Sequence, residues 1–211
     1  MGCFGACCLS LIILGFVCIA GVIGTGWYFY HKLASNNMIS DAPIAVQLEP
    51  PSEAQYKTAE DSLAKLKAAA NERREETVSF TAADLNALLA RNPDFRDFEG
   101  HARVEIADSA MTVSLSAPLN VFWSSNKKRW FNGIVSFTGR YENDEFQIDI
   151  RSARGGDYEV PESILSRLNS NFSQTLTDNT DDWRREMGID LRRVKRMSIE
   201  GDKLIITTKA E

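Results

Sequence analysis

Residues 104–115 read VEIADSAMTVSL, and this stretch decides the fold. Val104 and Ile106 alternate with polar residues, Asp108-Ser109 break the run, and Met111, Val113 and Leu115 resume it, with Leu119 in the same parity. Successive strand side chains point to opposite faces, so the spacing predicts a β-hairpin with one buried face. Val135, Phe137 and Tyr141 continue the pattern around Gly139. Asn143-Asp144 mark a second turn, Phe146, Ile148 and Ile150 alternate again, and Gly155-Gly156 end the run. Strands of about ten residues near 131–153 must twist and curve, which favours a half-barrel over a flat sheet.

From Pro161 the period changes from two to four. Ile164, Leu168, Phe172 and Leu176 form a stripe that Trp183 and Met187 extend, and Gly188 closes it. Pro in the first turn and Gly after the last delimit a helix of about 25 residues. Two strands follow, 191–199 and 203–208, joined at Glu200-Gly201-Asp202. Working back from the hairpin, Val78-Ser79-Phe80 reads as a short strand. Thr81 with Asp84 opens a short helix through Leu85, Leu88 and Leu89, which Asn92-Pro93 stop. The fold class expected is α+β: an N-terminal transmembrane helix, then a curved antiparallel β-sheet wrapped around a long amphipathic helix.

Before this domain, Ser52 caps a helix to about Arg74 with Tyr56, Ala59, Leu63, Leu66 and Ala70 on one face and Glu53–Lys57 and Asp61–Lys65 as i,i+4 pairs. It packs on its own domain, stands as a stalk, or pairs with a partner helix; two heptads are too few to decide. Residues 31–51 are a linker with Pro43 and Pro50-Pro51. Residues 9–30, LSLIILGFVCIAGVIGTGWYFY, hold no charged residue. As a helix they cover about 33 Å, enough for a hydrocarbon core of about 30 Å. Trp27, Tyr28 and Tyr30, then His31 and Lys32, suit a membrane–water interface. A cleaved signal peptide wants a basic start and a shorter apolar run. The parts are thus 1–8, a Cys-containing start; 9–30, an anchor; 31–51, a linker; 52–76, a helix or stalk; and 77–211, the domain. An N-terminal anchor with little ahead of it is the ordinary tether of an exported domain, so a single-pass protein with an extracytoplasmic domain is expected.

Cys3, Cys7, Cys8 and Cys18 all lie in or beside the anchor, so a disulfide or Cys-based metal site in the domain is excluded. Cys3, Cys7 and Cys8 are either acylation targets or small residues packing at a helix end. Ala20 and Gly24 are a small-residue pair that hints at a homo-oligomer or a membrane-protein partner. Beyond residue 35 the chain carries 23 basic and 29 acidic residues, a net charge of −6, which argues against nucleic acid as a partner. His101 is the domain's one histidine, and no Walker loop, HExxH or dinucleotide glycine pattern occurs. Asp178, Asp181 and Asp182 lack the spacing of a calcium loop. A non-enzyme without cofactor is expected, with a spatially assembled carboxylate pair as the remaining enzymatic route.

Two features suggest contacts. In 121–131, VFWSSNKKRWF, aromatics flank three cations, so Trp123, Lys127, Lys128, Arg129 and Trp130 make a candidate membrane-contact loop; a basic hairpin tip whose aromatics cap the core is the alternative. Arg184, Arg185, Arg192, Arg193, Lys195 and Arg196 form a second basic group that a helix dipole explains only in part.

The run VSFTAADLNALL (78–89) resembles the opening of small bacterial membrane-anchored proteins of the YpmS type and of LmeA-like lipid-binding proteins. YEVPESILSRLNSNF (158–172) resembles their "Val-Pro, then amphipathic helix" segment, and the similarity covers roughly 77–209. It implies a tubular lipid-binding fold, and we expect a groove for acyl chains lined by Leu168, Phe172, Phe137 and Ile148. The function expected is a membrane-anchored module of the cell envelope that binds lipid or another apolar ligand. The alternative is an assembly protein of a membrane complex, acting through helix-mediated contacts.

Overall fold

A computed structural model of the chain describes residues 39–40, 42, 46, 50–93, 100–118, 130–178 and 191–210. The expected anchor, its cysteines and the aromatic cluster after it lie outside the described residues. Among the described residues no helix is long and apolar enough to cross a membrane.

The chain is α+β, with a nearly closed antiparallel sheet and, among the described residues, three α-helices. In order these are β1 (Ile39–Ser40), α1 (Glu53–Glu72), β2 (Thr77–Thr81), α2 (Ala82–Arg91), β3 (Ala102–Ala107), β4 (Ala110–Pro118), β5 (Trp130–Glu142), β6 (Glu145–Gly155), β7 (Tyr158–Glu159), α3 (Glu162–Asp178), β8 (Val194–Glu200) and β9 (Lys203–Thr208). The expected hairpin is β3–β4, with Val104 opposite Val113 and Ile106 opposite Met111. Its turn residues Asp108 and Ser109 both adopt positive φ, 51° and 58°, and Asn143 and Asp144 repeat this at 54° and 62°. Two left-handed residues in a row suit the mirror-image turns whose twist matches a hairpin, and Asp and Asn tolerate them.

β5 is the hub. Residues 130–137 pair with β4 on one edge, residues 140–142 pair with β8 on that same edge, and β6 takes the other. The sheet therefore forks into β4–β3 and β8–β9–β2. The two arms meet at their tips, where Ser109 N–H donates to the Gly201 carbonyl and Gly201 N–H donates to Ser109 Oγ, both at 2.9 Å. The register shifts beside Phe137, which opposes Ile150 while Ser136 opposes Ser152. The extra residue, Arg151, re-phases β6 so that Ala153, opposite Val135, joins Ile150 on the core face.

One core unites Ala59, Leu63 and Leu66 of α1, Leu85 and Leu88 of α2, and the inward residues of β2–β6, β8 and β9. The apolar seam of 52–74 is thus spent inside its own domain. Ser52 caps α1, accepting from Gln55 N–H at 3.2 Å, while the Glu53 carboxylate meets Arg91 of α2 at 2.6 Å. Only part of the expected wrapping is found. α1 and α2 share the core side of the sheet, and α3 lies along the free edge of β6 while sending Leu165, and partly Ile164 and Leu168, inward. The last stretch expected in the long helix, with Trp183, Met187 and Gly188, falls outside the described residues.

Two of the edge strands, β3 and β6, are closed by side chains. Asn86 of α2 donates from Nδ2 to the Val104 carbonyl at 2.7 Å and accepts the Val104 N–H at 2.8 Å. Asn169 of α3 treats Ile150 of β6 the same way, at 3.1 and 2.9 Å. Ser173 Oγ accepts the Ile148 N–H and Thr177 Oγ1 the Phe146 N–H, at 2.9 and 3.0 Å. Each amide side chain offers the donor–acceptor pair of a missing neighbour strand, which blunts the edge.

The 78–89 motif gains a structural explanation here. Thr81 Oγ1 accepts from Asp84 N–H at 3.2 Å, Asp84 accepts from Thr81 N–H at 2.8 Å, Leu85 enters the core, and Asn86 holds β3. Thr81→Ala is expected to cost about 1 kcal/mol, the usual value of an N-cap, read from the urea midpoint at unchanged slope.

Candidate functional site

The residues expected to line an acyl groove fall on one side of the core. Phe137 is 0 % exposed and Ile148 5 % exposed, both inside the packed cluster, with Leu168 half-buried against it from α3. Phe172 lies one turn further along α3. Across the sheet, Ile106, Met111, Phe137 and Ile150 form a single inward row, so Phe137 has an apolar neighbour on either hand.

Of the expected membrane-contact residues, Trp123, Lys127, Lys128 and Arg129 lie outside the described residues. Trp130 opens β5, pairs with Pro118 and Ser40, and sets its ring 5.1 Å from that of His101. Nδ1 of His101 is buried and has no hydrogen-bond partner among the described residues. Its ring packs beside the Trp130 indole. Among the described residues no group of three or more His, Cys, Asp or Glu could hold a metal ion.

The second basic group is occupied by its own domain. Arg193 donates to the Ala70 carbonyl near the end of α1 at 2.9 Å, Lys195 meets Glu75 at 2.8 Å, and Arg196 meets Glu200 at 2.6 Å. A cation on the last carbonyls of a helix opposes the dipole, and the other two are exposed ion pairs of small energetic weight. Arg184 and Arg185 lie outside the described residues.

A cleft of about 320 Å³ lies on the outer face of the sheet. Cross-strand register builds its floor: Arg103 of β3, Ser114 of β4, Ile134 of β5 and Arg154 of β6 stand side by side in one row. Val46 of the linker and Gly156 after β6 complete it. Beneath one end, Ser116, 0 % exposed, donates to Asn132 Oδ1 at 2.7 Å, and Asn132 Nδ2 donates to the Ala42 carbonyl at 3.2 Å. That amide ties the linker to the sheet. Arg103 meets Glu105 at 3.1 Å, whereas Arg154 has no ion-pair or hydrogen-bond partner among the described residues. Sequence reading passed over these positions because they are the polar half of an alternating pattern. Only strand register, including the extra residue at Arg151, brings the two arginines into one row.

A second cleft, about 460 Å³, lies between the start of α1 and the end of α2. There the Arg91 guanidinium sits 5.5 Å over the Tyr56 ring and reaches Glu53, while the Tyr56 hydroxyl donates to Glu60 at 3.2 Å. Burial, and then Glu60, raise the Tyr56 phenol above its ordinary value. These charges answer one another, and the cleft is a tie between two helices. Compared with known proteins, the chain matches no family model, no curated protein and no solved structure.

Proposed function

We propose that the chain is a single-pass, membrane-tethered, non-enzymatic module whose domain lies outside the cytoplasm and contacts lipid at the end of the sheet where β1 joins β5. One observation carries this reading: Ile39 pairs with Phe131 and Ser40 with Trp130. Eight residues, nine Cα steps, separate Tyr30, the last of the apolar run, from Ile39. Fully extended, such a segment spans at most about 30 Å. The same end of β5 pairs with Pro118, so Pro118 and Trp130, the residues that flank 119–129, meet next to β1. Trp123, Lys127, Lys128 and Arg129 belong to that segment. Basic residues beside a bilayer gain about 1 kcal/mol each from anionic head groups, and indole rings favour the interface.

Phe137 and Ile148 are already committed to the core. The lipid contact therefore falls to the base of the module in preference to a channel through its middle. Pairing through the 52–74 helix would have to use its polar side, because Leu63 and Leu66 are buried.

The full chain in vesicles of phosphatidylcholine and phosphatidylglycerol tests the reading. Brominated acyl chains are expected to quench a share of the tryptophan emission that Trp123→Phe removes. Replacing Lys127, Lys128 and Arg129 with Gln is expected to reduce loop partitioning on the order of a hundredfold, from about 1 kcal/mol per charge lost. Emission from Trp123 that ignores brominated lipid would sink the orientation.

A further inference from the structure

We propose that the outer-face cleft binds a phosphate ester carrying an apolar substituent, with the phosphate on Arg154 and the substituent on Ile134 and Val46. The row Arg103–Ser114–Ile134–Arg154 places a guanidinium at each end of a floor made of one hydroxyl and one aliphatic side chain. Glu105 compensates Arg103 at 3.1 Å, whereas Arg154, whose register partner on β7 is Glu159, makes no side-chain ion pair or hydrogen bond among the described residues. The cleft therefore carries one net positive charge. Guanidinium is the side chain suited to a phosphate, because its planar fork donates two parallel hydrogen bonds. Ser114 adds a hydroxyl to the floor beside Arg103, two strands from Arg154. A volume of about 320 Å³ sits at the lower end of the range for small-ligand sites. It suits a head group and the first carbons attached to it, not a whole acyl chain.

The linker supplies Val46 to the lining and is held at Ala42 by Asn132, so the cleft lies beside the segment that leads toward the membrane. The inference deepens the lipid-contact reading and rests on it for the source of the ligand, since a bilayer offers phosphate esters with apolar tails. A free phosphate shares the same recognition chemistry without the tail.

Calorimetric titration of the full chain in a neutral detergent separates these sources, and it runs whether or not residues 9–30 form an anchor. Dihexanoyl phosphatidic acid is expected to bind saturably. Arg154→Glu is expected to weaken it by roughly tenfold or more, and Arg154→Lys by less, since a charge-assisted fork is lost while a charge is kept. Arg154 is exposed, so the variants should keep the wild-type melting temperature. Inorganic phosphate binding as tightly as the lipid supports the site with a free anion as its occupant. Binding of the lipid alone supports a membrane source. No saturable binding by either probe, or binding that Arg154→Glu leaves unchanged, overturns the assignment. Quenching of Trp123 is a separate readout: if it persists while the cleft fails, the membrane orientation stands, and if it is lost while the cleft binds, only the orientation falls.

Discussion

Replacing Phe137 with alanine is expected to lower the stability of the domain by about 3–5 kcal/mol, the range for deleting a large aromatic from a packed core. The ring is wholly buried and sits in the inward row between Met111 and Ile150. It also lies where β6 takes its extra residue, so strands on either side are pinned by different registers and have little freedom to close over a void. The cost should appear in urea unfolding as a lower midpoint with an unchanged slope. The result bears on function as well as stability. A loss below about 1 kcal/mol would mean that Phe137 borders open space in place of filling it. A channel through the middle of the domain, along Ile148 and Leu168, would then return as the place for an acyl chain.

Asn86→Ala is expected to cost about 2–6 kcal/mol, because it strands two backbone groups at once and each unsatisfied group costs about 1–3 kcal/mol. The lost partners are the N–H and C=O of Val104, whose side chain is in the core. Asn169→Ala removes the same pair of bonds at Ile150, equally half-buried, and is expected to cost a similar amount. That amide also donates to Asp149 at 2.7 Å, an exposed bond of small weight. Amide hydrogen exchange separates the two effects. The Val104 N–H should exchange far faster in the Asn86 variant while Ile150 is unchanged, and the converse holds for Asn169→Ala. Asn86→Asp is the informative control, since it keeps an acceptor for the Val104 N–H and loses the donor to its carbonyl. Protection of Val104 that survives Asn86→Ala would refute the account of how β3 is closed.

The parts of the fold written in local pattern were legible. Alternation gave β3 to β6, the Asp108-Ser109 and Asn143-Asp144 turns came from residues that accept positive φ, and Ser52 and Thr81 announced α1 and α2. Features that depend on distant pairing were not. β1 formed in a stretch read as a linker, because two residues carry no period. β8 joining β5 on the edge that β4 vacates has no local signature. Asn169, Ser173 and Thr177 each follow a residue of the apolar stripe and carry no signal of their own, and their role appears only once α3 lies along β6. The outer cleft was hidden for the same reason: nothing in a polar half-pattern says which arginines will share a row. The basic run at 192–196 misled in the opposite direction, since its partners Ala70 and Glu75 lie far away in sequence.

The contact between α3 and β6 behaves like a vernier, two rulers of unequal division laid edge to edge. Four residues of helix advance about 6.0 Å. Two residues of strand advance about 6.7 Å. The marks coincide at Asn169, Ser173 and Thr177 against Ile150, Ile148 and Phe146, and the accumulated slip across them is already about 1.4 Å. A fourth coincidence would carry the slip to about 2.1 Å. The far end of β6 is served by β7, which pairs Glu159 with Arg154 and Tyr158 with Gly155. A helix stands in for a strand best over a length fixed by the difference of their pitches, so lengthening β6 at its Glu145 end would call for longer side chains on α3 than the Ser and Thr that serve it here.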